Sequence, residues 1–363
     1  MGNVSEQPIA SHSVSPTSTD KSGEYLTSEQ IAVLAAENCS PAKLVLQNHF
    51  SEDTSGQCHN EATRETLWEV RCAAARRLRE EAASKALKMH YALAATYRAD
   101  DLLQRTSAEL QIQRETQTKL IAQGISIADV TLLDRLTRDW EDRWLENRSK
   151  QSQLRIQLSG LIGSAWACSY HPQVDLELSP SDIDVCEYLQ LAMSCRQELT
   201  LLKRLRQSVD EEHLQIWDSL AGYLLGSPMT VASNKGWLTK LRRSILRSEV
   251  EQAISNRSRW LETLIQERAK QITIEVEVAF EAKRSAALRW SNAKRLTETW
   301  DSRVKELVRL GEEYQGNLAS QSEAKLQRLS SERSEIERWL DWHQSHIDLL
   351  HATGSILSPR HGN

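Results

Sequence analysis

The sequence predicts an all-α protein built from duplicated long antiparallel helical hairpins, with short connecting helices and little or no β-barrel. Two observations carry the duplication. Two proline-free stretches, one between Pro41 and Pro172 and the other between Pro228 and Pro359, are equal in length, and each holds a near-central glycine, Gly124 or Gly311, at the matching position. A third observation gives the hairpins. Proline costs a helix interior roughly 3 kcal/mol and glycine about 1, so stretches whose glycines gather near the middle and the ends read as two helices meeting at a turn. The chain divides into a tail at 1–24, a first hairpin repeat at 25–170, a connector at 171–245, a second repeat at 246–358 and a tail at 359–363.

Composition supports thin packing. The 363 residues hold 2 Phe against 11 Trp and 7 Tyr, with 13 Gly and 7 Pro, which suits elongated helices better than a thick core. The net charge of -5 is spread in interleaved runs such as Arg76, Arg77, Arg79, Glu80 and Glu81. Such runs are solvated helix faces and do not make a nucleic-acid surface. No stretch approaches the roughly 18 apolar residues of a membrane-spanning helix. The first 24 residues, rich in Ser, Thr and Pro, lack the basic start and apolar block of a secretory signal.

Taken in order, Thr27 and Gln30 are spaced as a capping box before Ile31, Val33 and Leu34. That helix stops by Pro41 or restarts there. Residues 48–60 carry a loop signature in Asp53, Ser55, Gly56 and Asn60. A helix from Glu61 to about Gln123 follows, with apolar residues at steps near three and four and a length on the order of 95 Å. Its Ala73-Ala74-Ala75 and Ala82-Ala83 let neighbouring helices approach closely. After Gly124 a second helix carries Val130, Leu133, Leu136, Trp140 and Trp144, and ends before Gly163.

In the connector, Asp182 to about Ser208 predicts one helix capped by Ser181 or Asp182, and His213 to Leu225 another. Leu246 to about Leu310 and Gly316 to about Ala352 then repeat the long hairpin. Within it Ile272, Ile274, Val276 and Val278 alternate as a strand would. Helix is still the reading, because Ile272, Val276 and Phe280 also fit a four-residue step.

Several phrases in this order resemble the TolC-like outer-membrane efflux protein family. Leu26-Thr27 through Glu37-Asn38-Cys39-Ser40-Pro41 resembles its opening helix, and Leu120 to Asp134 its first hairpin turn. Glu275, Val276, Ala279 and Phe280 resemble the start of its second long helix, and Tyr314-Gln315-Gly316 its second turn. The resemblance spans about 25–358. It implies a homotrimer of the cell envelope, in the outer membrane or periplasm, that forms a helical tunnel with no enzymatic role. It also implies a periplasmic adaptor and an inner-membrane pump as partners. By carry-over the hairpin tips are Gly124, Ile125 and Ser126 in the first repeat and Gly311, Glu312, Glu313, Tyr314 and Gly316 in the second. Of the residues just after the second turn, only Glu323 suits an acid at the tunnel entrance.

The chain departs from that family at the membrane barrel. Spanning strands need about 9 to 11 alternating residues, and neither 48–60 nor 226–236 offers them. An intracellular coiled-coil scaffold, such as a spectrin-like bundle, is the alternative expectation. No cofactor motif is visible. The six cysteines have no zinc-like spacing and read as small hydrophobes, with Cys39–Cys58 or Cys186–Cys195 disulfides reserved for an exported chain. His343, His346 and His351 with Asp348 come nearest to a metal set but read as surface histidines. Trp140 with Trp144, and Trp339 with Trp342, read as packing residues at helix seams.

Overall fold

The computed structural model of the chain describes residues 25–47, 61–124, 130–163, 171–172, 184–207, 247–314 and 318–358. Elements in order are β1 (Tyr25–Leu26), α1 (Ser28–Glu37), α2 (Ser40–Gln47), α3 (Glu61–Ala122) and α4 (Val130–Ile162). They continue with β2 (His171–Pro172), α5 (Val185–Cys195), α6 (Gln197–Gln207), α7 (Arg247–Tyr314) and α8 (Leu318–Thr353). The expected hairpins are α3–α4 and α7–α8. The β1–β2 pair is parallel, with Tyr25 opposite His171.

Thr27 closes the predicted capping box. Its backbone N–H donates to Gln30 Oε1 at 2.9 Å, and the Gln30 N–H donates to Thr27 Oγ1 at 3.3 Å. Pro41 falls in the first turn of α2, where its missing N–H leaves no helical bond unmade. The alternating segment is helical throughout. Ile272 and Val276 are fully buried while Ile274 and Val278 are exposed, so the four-residue step outweighed the two-residue one.

The four long helices lie side by side in the order α4, α3, α8, α7, each antiparallel to its neighbour. Ion pairs record the register. Arg148–Asp100 and Arg114–Asp134 join α4 to α3, while Lys88–Asp348, Arg105–Glu332 and Lys325–Glu109 join α3 to α8. Arg328–Asp301 joins α8 to α7. Along each seam one partner's number rises as the other's falls. Both hairpin ends therefore lie at the same end of the layer.

The thickest packing is away from those ends. There α1 crosses α3 and α4, with Ile31 and Ala35 against Ala86, Leu93, Leu158 and Ile162. Ala83 and Ala86 are fully buried, as the close approach at the alanine-rich stretch requires. The helices α5 and α6 cover α7, with Tyr188, Ala192 and Leu199 on Ile272 and Val276. Leu201, Leu202 and Leu205 of α6 meet Val70 and Leu261.

Two expectations need correction here. The single helix from Asp182 to Ser208 is two, broken at Arg196, whose backbone is extended (φ -70, ψ 105). At the break Arg196 donates to the Ala352 carbonyl at 3.1 Å while pairing with Glu198 and Glu275. Its N-cap is Asp184; Ser181 and Asp182 lie outside the described residues. The second correction concerns Gly311, which is helical within α7. Matching spacing from proline to glycine did not mark a matching turn.

The loop readings at 48–60 and 226–236 and the helix reading at His213 to Leu225 fall outside the described residues. Among the described residues no helix is long and apolar enough to cross a membrane. Cys39, Cys72, Cys186 and Cys195 are free thiols, so Cys186 and Cys195 are not bridged.

Candidate functional site

Three features of the layer position groups that could act: the hairpin ends, a cleft along α3, and the joint between the hairpins. At the first end α3 closes on Gly124 with φ 70, a left-handed conformation that costs glycine little. Its N–H donates to the Ile121 carbonyl at 2.9 Å. Ile125 and Ser126 lie outside the described residues, as does Gly316. Gly311, Glu312, Glu313 and Tyr314 form the last helical turn of α7. Gly311 is where α8 comes close. A Cβ there would collide with the Gln321 side chain, whose Nε2 donates to the Leu307 carbonyl at 2.9 Å and closes the hairpin.

Glu323 is exposed on α8. Sequence reasoning missed the neighbouring acid that the structure buries between hairpins, Glu109. It accepts from Ser322 Oγ at 3.0 Å and pairs with Lys325 at 3.2 Å. Nothing in its local sequence separates it from other helix-face glutamates; only the α3–α8 register does.

Over the middle of α3, between α4 and α8, runs a cleft of about 810 Å³. Ala95, Ala99 and Leu102 floor it, and Leu136, Trp140 and Leu340 line its walls. Small residues on α3 hold the floor low while longer side chains on both flanking helices raise the rims. Trp140 spans the seam as expected, donating its Nε1 hydrogen to the Leu103 carbonyl at 2.7 Å. It stacks on Trp144 at 6.4 Å, and the Arg148 guanidinium lies 5.3 Å from the Trp144 ring.

The joint between hairpins corrects the histidine reading. His343 is 1% exposed, not on the surface. Its ring stacks on Tyr91 of α3 at 4.0 Å, with Trp339 and Trp342 edge-on at 4.4 and 4.6 Å. Trp290 of α7 stacks on Trp342 at 5.0 Å, so the cluster ties three of the four long helices. Trp339 is also almost fully buried, and the Arg98 guanidinium lies 4.0 Å over its ring. Burial, helped by His346, Arg98 and His90, pushes the His343 imidazole down to about 3. Among the described residues no group of three or more His, Cys, Asp or Glu could hold a metal ion.

No protein-family model matches the chain, and no curated protein matches it in sequence. Solved structures match over nearly its whole length. A membrane protein from Pseudomonas aeruginosa superposes with a TM-score of 0.61 at 13% identity, over 96% of each chain. The Campylobacter jejuni CmeC outer membrane channel gives 0.56 at 10% identity, over 90% of this chain and 83% of that one. The outer membrane protein VceC from Vibrio cholerae gives 0.53 at 11% identity, over 91% and 93%. At such identities the likeness is one of architecture, and the all-α chain shares the long helical hairpins of the TolC-like outer-membrane channels.

Proposed function

We propose that this chain is one protomer of a homotrimeric helical conduit, or of a barrel-less relative, in the cell envelope. Its role is passage or partner binding without covalent chemistry. One observation carries the reading: α7, a flank of the four-helix layer, exposes five large apolar residues on the side away from its buried face. Leu261, Ile272, Val276 and Ala286 are buried on one side, while Trp260, Ile274, Val278, Leu288 and Leu296 are exposed on the other. At 100° per residue the exposed five form a single stripe, roughly 54 Å long. Glu267, Glu281 and Asn292 share that side, which gives it the mixed apolar and polar character of a contact between subunits. At the other flank, α4 exposes Leu145 and Ile156. Joining the α7 flank of one copy to the α4 flank of the next is a heterologous contact, which closes a ring if the rotation allows.

Such a ring would enclose a tunnel, with the hairpin ends at its mouth and Glu323 as an entrance acid. Gly124, Ile125 and Ser126 with Gly311, Glu312, Glu313, Tyr314 and Gly316 would meet a periplasmic adaptor there, and an inner-membrane pump would supply the energy.

The test is a pair of variants. Ile274→Glu with Val278→Glu should turn a trimer into a monomer by light scattering while leaving helicity unchanged. Ile272→Glu should instead unfold the chain. A wild-type chain that stays monomeric at tens of micromolar, or a double variant that stays trimeric, overturns the proposal. Gly124→Pro should weaken adaptor docking and efflux in an intact trimer; unchanged efflux removes the hairpin ends from the site.

A further inference from the structure

The buried histidine at the joint does more than fill space. Neither ring nitrogen of His343 has a hydrogen-bond partner among the described residues. A buried polar group without a partner is costly, so an apolar ring would pack there at lower cost. The groups around it are also arranged against a second positive charge. From α3 come Arg98 and His90, and from α8 itself His346, all of which act on the ring by their charge. Tyr91 and Trp339 supply ring faces and edges, and α7 contributes Trp290 through Trp342. Ala32 of α1 packs in the same cluster. Glu335 faces Arg98, and Asp348 is paired with Lys88 at 2.5 Å.

We propose that His343 makes the joint between the two hairpins proton-sensitive. Neutral imidazole keeps α8 closed on α3; imidazolium, set against Arg98, His90 and His346, loosens it. With His343 1% exposed and stacked on Tyr91 of α3, proton uptake and opening of the α3–α8 seam are one event. This follows from the packing inside one copy and stands whether or not the chain forms a trimer.

The experiment is hydrogen exchange on the full purified chain, wild type and His343→Phe, from about pH 7 to about pH 5, corrected for intrinsic rates. In the wild type, exchange in residues 90–98 and 339–346 should rise by on the order of tenfold per pH unit below about 6.5, ahead of α4. In His343→Phe that rise should be mostly lost. A Phe variant with the full wild-type pH response overturns the proposal. So does a wild-type rise that is uniform along the chain. If the Phe variant does not fold, the wild-type imidazole resonances decide. A His343 signal that titrates near its ordinary value while the seam stays protected also overturns it.

Discussion

Arg105 of α3 grips Glu332 of α8 through both terminal guanidinium nitrogens, with Nη1 2.8 Å from Oε2, and also pairs with Asp101 one turn away at 3.0 Å. The two-pronged contact ties the first hairpin to the second. Glu332 is the more buried partner, so the geometry favours a fork over a point charge.

Arg105→Lys should therefore lower stability by about 1 kcal/mol. A double-mutant cycle with Glu332→Gln, read by urea unfolding, should return a coupling of similar size. A coupling near zero would make the pair incidental to the joint.

The tryptophans should divide by burial. Trp339→Ala removes an almost fully buried ring from the joint and should cost about 3–5 kcal/mol. Trp144 is half-exposed on α4, so Trp144→Ala should cost less than about 1 kcal/mol. Equal losses in thermal unfolding would contradict the placement of Trp339.

Two left-handed glycines should respond differently to alanine. Gly124 has φ 70 and open space around it, so Gly124→Ala should cost only the backbone penalty, about 1 kcal/mol. Gly163 has φ 69, and a Cβ there would sit 2.7 Å from Asn38 Cγ, next to the Asn38 bond to the Ile162 carbonyl. Gly163→Ala should cost clearly more and raise hydrogen exchange in α1.

Glu80 supplies a pH dependence with a defined sign. Burial is the main cause that pushes its carboxyl up to about 7, against the opposing pull of Arg76. A carboxyl raised above its unfolded value stabilises the fold below about pH 4.5, and that contribution is lost as pH rises towards 7. The loss amounts to at most about 3 kcal/mol. Glu80→Gln should match the wild type near pH 4 and exceed its stability near pH 8. His343 acts in the opposite sense: its lowered imidazole contributes stability above about pH 6.5 that is lost as pH falls. Urea unfolding of Glu80→Gln and His343→Phe across this range separates the two.

The hairpins were legible because helix breaking is local. Gly124 ends α3 at the expected place, since a left-handed residue is needed there whatever packs nearby. The capping box at Thr27 and Gln30 was legible for the same reason: both bonds lie within one turn. Gly311 misled, because a glycine also serves where two helices come close, and the Gln321 side chain that packs against it belongs to another helix. The break at Arg196 was invisible for a like cause, its partners lying on α7 and α8.

By itself the sequence determined the four long helices and the paired-hairpin plan, through proline, glycine and apolar spacing. Tertiary structure alone decided which faces acquired neighbours. It buried Ile272 and left Ile274 exposed, set Glu109 between the hairpins, and enclosed His343 among Tyr91, Trp339 and Trp342. Periodicity says that a helix has an apolar side; the register between helices, a property of the assembled layer, says what that side meets.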